Sequence, residues 1–460
     1  MLFERVVSEG IAHHSYIIGD EGKAAVIDPR RDGEVYLDIA ARNGCTITHI
    51  FETHRNEDYV IGSLPLADRC GAGIFHGSGM DFAYGTSVTD GETFRLGSLS
   101  LQVLETPGHT EESISLVVRD TPGGDVPLLV FSGDTIFAGD VARTDFFGDD
   151  RKEEMAQKIY DSIMRIFSLG DSVILFPAHG AGSVCGGEIA DRSFTTVGME
   201  KATNPLIRMG RQSFVSHRVT ESPYKPPYFR TMEQYNRDGA PRVLLPALRP
   251  LTPSELENLR TSGCQVLDIR APGGFAAGHI PGSLSIWRNG ISSYAGWFLN
   301  YQDPIVIIDD FNQNTGEIIR QLFRLGYDDV GGILAGGIGS WFKNGGAVGT
   351  FRTCTVFGLR ERLEREEVFI LDVRDIRNRR NSGFIPGSHH IYLGELPTHL
   401  DRIPRDLPVI VYCDAGFKSA TAASILARHQ YHDLTTVLGG MITWKQEGFP
   451  IVTEENTTPH

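Results

Sequence analysis

Cysteine is scarce in this 460-residue chain: there are six, Cys45, Cys70, Cys185, Cys264, Cys354 and Cys413, and no two are close in sequence. That spacing offers no disulfide framework and fits reduced thiols in a cytoplasm. Positive charge is also short, with 43 Lys and Arg against 58 Asp and Glu, a net charge of −15. A nucleic-acid or anionic-membrane partner needs clustered cations to neutralise phosphates, so neither is expected. No apolar run reaches bilayer length. The opening residues, MLFERVVSEGIAHHSYIIGD, interrupt their apolar positions with charge and lack an apolar core of about 7–15 residues, so no signal peptide is expected and the protein reads as cytoplasmic. What is present is ordinary globular composition, 41% hydrophobic and 22% charged. The length exceeds what one hydrophobic core serves, and two to four domains are expected.

To about residue 200 the chain alternates strand-length apolar runs with loops: SYIIG, AAVID, LQVLE, SISLVV, LLVFSG and VILFPA. Several of these runs lead into polar residues suited to chemistry, namely His54, His109 in TPGHTEES, Asp134 in FSGDTIF and His179 in FPAHGAG. Residues 222–242, rich in Pro, Arg and aromatics, read as a packed but irregular connector. Beyond residue 250 the chain repeats. QVLDIRAPGGFAAGHIPGSLSI matches FILDVRDIRNRRNSGFIPGSHHI, and ILAGGIGSWFKNGG matches VLGGMITWKQEG. The offsets agree, with Asp268 and Asp372 104 positions apart and Trp341 and Trp444 103 apart. Two copies of one domain of roughly a hundred residues are therefore expected, each a small α/β unit with a parallel sheet.

The stretch ETHRNEDYVIGS carries the sharpest deficit. A two-metal hydrolase motif would read T-H-x-H-x-D-H, whereas here Asn56 and Tyr59 stand in place of the second and third histidines. His54, His109 and Asp134 remain, two imidazoles and one carboxylate, a set that suits a non-haem Fe(II) centre with open positions for substrate and O2. Hydrolysis instead calls for a metal-activated hydroxide, often between paired ions. A single zinc completed by His179, or a metal-free scaffold, also fits these residues. Asp58 and His179 are expected to orient the ligands or hold a water.

Residues 1–245 resemble the persulfide dioxygenase branch of the metallo-β-lactamase superfamily, carried by TPGHTEES, FSGDTIF and GDVARTDF in order and spacing. The resemblance implies an αββα sandwich holding one Fe(II) per chain through His54, His109 and Asp134, and oxidation of a thiol persulfide by O2 to sulfite and free thiol. Asn56 and Tyr59 depart from the better-known members. Arg143 is a candidate for holding the anionic substrate, with a structural salt bridge as the alternative. Cys185, six residues after His179 in a Gly-rich loop, is a candidate sulfur relay or simply a small buried thiol.

In the last copy, VIVYCDAGFKSATAASILARHQ ends a buried strand at Cys413 and is expected to begin a helix after Ser419. A thiol facing a helix N-terminus and closing loop amides feels positive potential, which lowers its pKa and makes its thiolate nucleophilic. Asp414, Ala415, Gly416, Phe417, Lys418 and Ser419 form the loop that would cradle sulfur or an anion. This loop resembles the C-x-x-G-x-[RK]-S active-site loop of rhodanese sulfurtransferases, a likeness covering residues 355–455. In the middle copy, residues 250–350, Asp309 occupies the cysteine position, and a carboxylate forms no persulfide, so this copy is expected to be catalytically silent. The whole reads as an α/β multidomain chain, an αββα sandwich followed by two small parallel-sheet domains, coupling persulfide oxidation to thiosulfate formation in a homo-oligomer, dimer or tetramer. Two rivals remain: a thioester hydrolase resembling glyoxalase II with rhodanese-like attachments, and a sulfane-sulfur carrier scaffold.

Overall fold

The computed structural model describes residues 1–124 and 126–453. The chain divides into two compact units, Met1–Leu245 and a second from Pro246 onward, with Phe323–Gly326 clustering with the first.

The first unit is built on two six-stranded sheets. One runs β1 (Leu2–Ser8), β2 (His13–Asp20), β3 (Lys23–Ile27), β4 (Thr46–Glu52), β5 (Gly73–Gly77) and β6 (Thr86–Val88) in spatial order; β1 to β3 are antiparallel and β3 to β6 parallel. The other runs β7 (Thr93–Leu96), β8 (Leu99–Glu105), β9 (Ile114–Asp120), β10 (Pro127–Gly133), β11 (Ile174–Pro177) and β12 (Thr195–Thr196), parallel only between β10 and β11. Strand period sorts the side chains between layers. Ile18, Ala25 and Ile27 point into a core shared with Leu101, Val103, Leu116 and Phe131 of the second sheet. Their neighbours Ile17, Ala24 and Val26 face the opposite way, onto Tyr36, Ile39 and Leu66 from helices Glu34–Arg42 and Ser63–Cys70. The outer face of the second sheet is covered by helix Lys152–Phe167, through Ala156, Ile159 and Ile163 against Val117, Val130 and Leu175. Three apolar layers between four layers of structure give the αββα sandwich. Truncating a fully buried member such as Leu101 to Ala would destabilise this unit by about 2–5 kcal/mol.

The expected irregular connector is a correction. Residues 222–242 contain helix Phe229–Asp238, whose Phe229, Met232 and Asn236 are buried. Pro223, Pro226 and Pro227 before it and Pro241 after it mask a ten-residue helix with only one apolar stripe.

The second unit holds two five-stranded parallel sheets of the same topology. The first contains β13 (Pro250–Leu251), β14 (Gln265–Asp268), β15 (Leu284–Ser285), β16 (Ile305–Ile308) and β17 (Val330–Leu334), ordered β13-β17-β16-β14-β15. The second contains β18 (Arg352–Cys354), β19 (Phe369–Asp372), β20 (His389–His390), β21 (Val409–Tyr412) and β22 (Leu434–Val437), ordered β18-β22-β21-β19-β20. Central strands buried on both faces read as unbroken apolar runs, IVII and VIVY, as a parallel sheet requires. Among the described residues no helix is long and apolar enough to cross a membrane.

Candidate functional site

In the first unit the polar residues singled out by the sequence lie just beyond strand ends. His54 follows β4 by two residues, His109 sits in the β8–β9 connection, Asp134 follows β10 directly, and His179 follows β11 by two. Two glycines make the convergence possible. Gly108, at φ +141°, brings the backbone before His109 so near helix Lys152–Phe167 that an added Cβ would lie 2.3 Å from the Ile159 nitrogen. Gly133, at φ +52°, would press a Cβ to 2.7 Å from Thr53 Oγ1.

The four side chains are buried and each ring is oriented. The His54 ring is held at Nδ1 by Thr53 Oγ1 at 2.9 Å, and Thr53 is fixed by Asp28, which accepts from its amide and its hydroxyl at 2.7 Å each. His109 Nδ1 lies 2.9 Å from the Arg143 carbonyl, to which it donates. Both bonds turn Nε2 into the cluster, and among the described residues neither His54 Nε2 nor His109 Nε2 makes a hydrogen bond, although His109 Nε2 has the Glu57 carboxylate 3.2 Å away. These nitrogens stand 3.8 and 3.6 Å from Asp134 Oδ2. Such separations exceed a hydrogen bond of about 2.7–3.2 Å but suit donors each about 2.0–2.2 Å from a common ion. Unpartnered buried donors converging in this way fit a divalent cation. On the far side Asp134 Oδ1 accepts from His179 Nδ1 at 2.7 Å, and His179 Nε2 faces Asp58 Oδ2 at 3.1 Å.

Burial holds His54 down to about 4, so its imidazole is neutral and able to ligate at neutral pH. His109 is also opposed by burial, but Glu57 beside it wins and lifts it to about 9. Burial pushes Asp28 up to about 7 against its bonds from Thr53.

Two family models match the chain: "Metallo-beta-lactamase superfamily" over residues 9–179, and "Rhodanese-like domain" over residues 252–344 and 358–447. A solved metallo-beta-lactamase from Staphylococcus aureus subsp. aureus COL is 30% identical with a TM-score of 0.66, the match covering 73% of this chain and 98% of that one. The chain belongs to the metallo-β-lactamase superfamily. Two rhodanese-like domains follow its superfamily domain. Among curated relatives, the hydroxyacylglutathione hydrolase of Rhizobium etli is 27% identical over 229 residues, 44% of this chain and 84% of that protein. The mitochondrial persulfide dioxygenase of Bos taurus is 25% identical over 213 residues, 44% of this chain and 74% of that protein.

Within the metallo-β-lactamase domain the two substituted positions have turned to other work. Asn56 donates from Nδ2 to the His54 carbonyl at 3.2 Å. Tyr59 packs its ring 4.1 Å from that of His13, and burial pushes its phenol well up. Arg143 does not reach the cluster with its guanidinium, which forms a two-pronged pair with Asp145 at 2.7 and 2.9 Å; its carbonyl is what touches His109. Cys185 is buried with Sγ 3.5 Å from Glu57 Oε1, and burial pushes the thiol well up.

Four contributors escaped sequence reading. Glu57 sits at an unconstrained position inside the quoted motif, yet its carboxylate enters the cluster 3.2 Å from His109 Nε2. Asp28 ends the AAVID strand at φ +50°, the one local signal that it serves something beyond the turn. Asn236, on the overlooked connector helix, donates to the carbonyls of Asn56 and Tyr59 at 2.6 and 2.7 Å, pinning the loop that follows His54. The fourth, Arg288, belongs to the first rhodanese-like domain.

In the second rhodanese-like domain Cys413 follows β21 and is buried, with the Gly416 amide donating to Sγ at 3.1 Å. The helix begins at Phe417 rather than after Ser419, because Gly416 at φ +98° already supplies its N-cap turn. Ser419 lies inside that first turn, its hydroxyl bonded to the Gly416 carbonyl at 3.0 Å and 3.9 Å from Sγ. Lys418 is engaged by Asp414 at 2.9 Å, so its charge reaches the thiol only in part. Ala415 and Phe417 are exposed, and the Phe417 ring lies 5.5 Å from that of Trp287, on the preceding domain. At the equivalent place in that domain Asp309 follows β16 and meets Arg288 at 3.0 Å.

Proposed function

We propose that the metallo-β-lactamase domain oxidises a low-molecular-weight thiol persulfide with O2 to sulfite, and that Cys413 passes sulfane sulfur to sulfite as thiosulfate, a route of persulfide detoxification. The observation that carries this reading is the joining, in one chain, of a buried donor set that lacks two motif imidazoles with a thiol cradled at a helix N-terminus. The bovine relative supports it.

The ligands we assign are His54, His109 and Asp134, which would hold one Fe(II) per chain; bound there, the ion would supply open positions for substrate and O2. The protein's part is to orient and to exclude water. Asp28 acts through Thr53 to hold His54, the Arg143 carbonyl holds His109, and His179, backed by Asp58, holds Asp134. Phe146 packs edge-on against His109 at 5.2 Å, an apolar cover over the donor set. Overall, persulfide, O2 and water give thiol, sulfite and two protons. Cys413 thiolate then attacks the outer sulfur of a second persulfide, releasing thiol, and sulfite takes that sulfur from Cys413 to leave thiosulfate.

Oxygen-electrode assays with glutathione persulfide and other thiol persulfides, run beside metal analysis, test the proposal. One iron per chain and at least a hundredfold loss of O2 uptake in His109→Ala are expected. Two tightly held zinc ions with turnover of a hydroxyacyl-glutathione thioester would sink it in favour of hydrolysis. That second reading draws on the Rhizobium relative and on Asp58, His179 and Cys185, whose donor atoms lie within 4.8 Å of one another.

A further inference from the structure

Glu57 is fully buried, and among the described residues the ion pair its carboxylate makes is with His109. Oε1 lies 3.2 Å from His109 Nε2 and 3.5 Å from Cys185 Sγ, while Oε2 has no hydrogen-bond partner. An ionised carboxylate left in that state is strongly unfavourable unless a cation or hydrogen-bond donors compensate it. The donor atoms of His54, Glu57 and His109 all lie within 4.8 Å of one another, and those of Glu57, Asp134 and Cys185 do likewise. The same carboxylate therefore belongs to the neighbourhood of every assigned ligand.

Its position in the chain explains how it arrived. Asn56, standing where the motif has an imidazole, turns its amide back onto the His54 carbonyl and contributes nothing to the cluster. The next residue turns in instead. The loop is held in that course by Asn236, which takes the carbonyls on either side of the Glu57–Asp58 pair. Charge agrees as well: once a cation takes the place of the His109 proton, two imidazoles with Asp134 leave a divalent ion one positive charge in excess, and a second carboxylate cancels it.

We infer that Glu57 is a fourth protein donor to the same ion, an anionic replacement for the imidazole lost at Asn56, which fills one of the positions the two-histidine, one-carboxylate set leaves open. The inference rests on the single-ion assignment to His54, His109 and Asp134. Glu57 thereby sets how many positions remain for an incoming anionic sulfur and for O2, and ties Cys185 to the edge of the centre through one carboxylate oxygen.

The test uses full-length apoprotein titrated anaerobically with Co(II) against a chromophoric chelator, reading stoichiometry, affinity and visible d–d absorption. Wild type is expected to bind one equivalent. Glu57→Ala and the isosteric Glu57→Gln, which preserves packing should the alanine variant misfold, are expected to bind at least tenfold more weakly with displaced d–d bands. His109→Ala serves as the control for the parent assignment and is expected to lose the site. If both Glu57 variants match wild type in affinity and spectrum while His109→Ala loses binding, Glu57 is only an internal partner of His109 and the inference falls alone. If His109→Ala also binds as wild type, the single-ion assignment falls and takes the inference with it.

Discussion

The two rhodanese-like domains share a sheet order, a strand-end position and a buried ion pair, yet differ at one decisive side chain. Behind each second strand an aspartate grips an arginine two residues on: Asp268 with Arg270 at 2.8 Å, Asp372 with Arg374 at 2.8 Å. Each fourth-position loop bends through a left-handed residue at the same place, Asn312 at φ +55° and Gly416 at φ +98°. The difference is in what faces that bend. Cys413 receives the Gly416 amide, whereas Asp309 is met by Arg288, a cation that satisfies a carboxylate. The scaffold is thus conserved where it folds the chain and altered where it does chemistry, so fold alone does not tell which copy is active.

Three perturbations sharpen that contrast, in falling order of effect. Cys413→Ser should reduce cyanide-dependent thiocyanate formation and thiosulfate formation by more than a hundredfold while sparing O2 uptake, since a hydroxyl at this site forms no persulfide; parallel assays of the two reactions decide it, and equal loss of both would show the sites inseparable. Asp268→Asn and Asp372→Asn should each destabilise their own domain by about 3–5 kcal/mol, because each removes the carboxylate charge gripping a buried arginine. Denaturant unfolding of the two variants would expose any inequality between the copies. Asp309→Ala should change steady-state turnover less than twofold, and a sulfur adduct found on the first copy by mass spectrometry during turnover would overturn its silence.

Much of this architecture is legible in the sequence. The repeats announce themselves because the same apolar strand and the same LD-x-R or GG-x-x-x-W segments recur near one offset, and such segments are fixed by packing. His54, His109, Asp134 and His179 are legible because each ends or follows an apolar strand. Glu57 is not, since a carboxylate in a loop signals solvent until its burial is known. Asp28 is hidden for a different reason: its work is done through Thr53, twenty-five residues away. The connector helix escaped because its apolar residues form one narrow stripe between prolines. Of the two readings of Arg143, the pair with Asp145 is the salt bridge, while the main-chain carbonyl that serves His109 leaves no mark in the sequence.

The closely approaching glycine pair that follows the last strand of each copy carries a wider consequence. Gly337 and Gly440 lie so near the fourth-strand loop that a Cβ would fall 2.1 Å from the Asp310 carbonyl oxygen and 2.2 Å from the Cys413 carbonyl oxygen. There, Ile338 and Met441 amides donate to the Asp309 and Cys413 carbonyls at 2.9 and 2.8 Å. That clamp reads only main chain. It holds sulfur and carboxylate alike, so the side chain at that position can differ between the copies without the sheet registering the change.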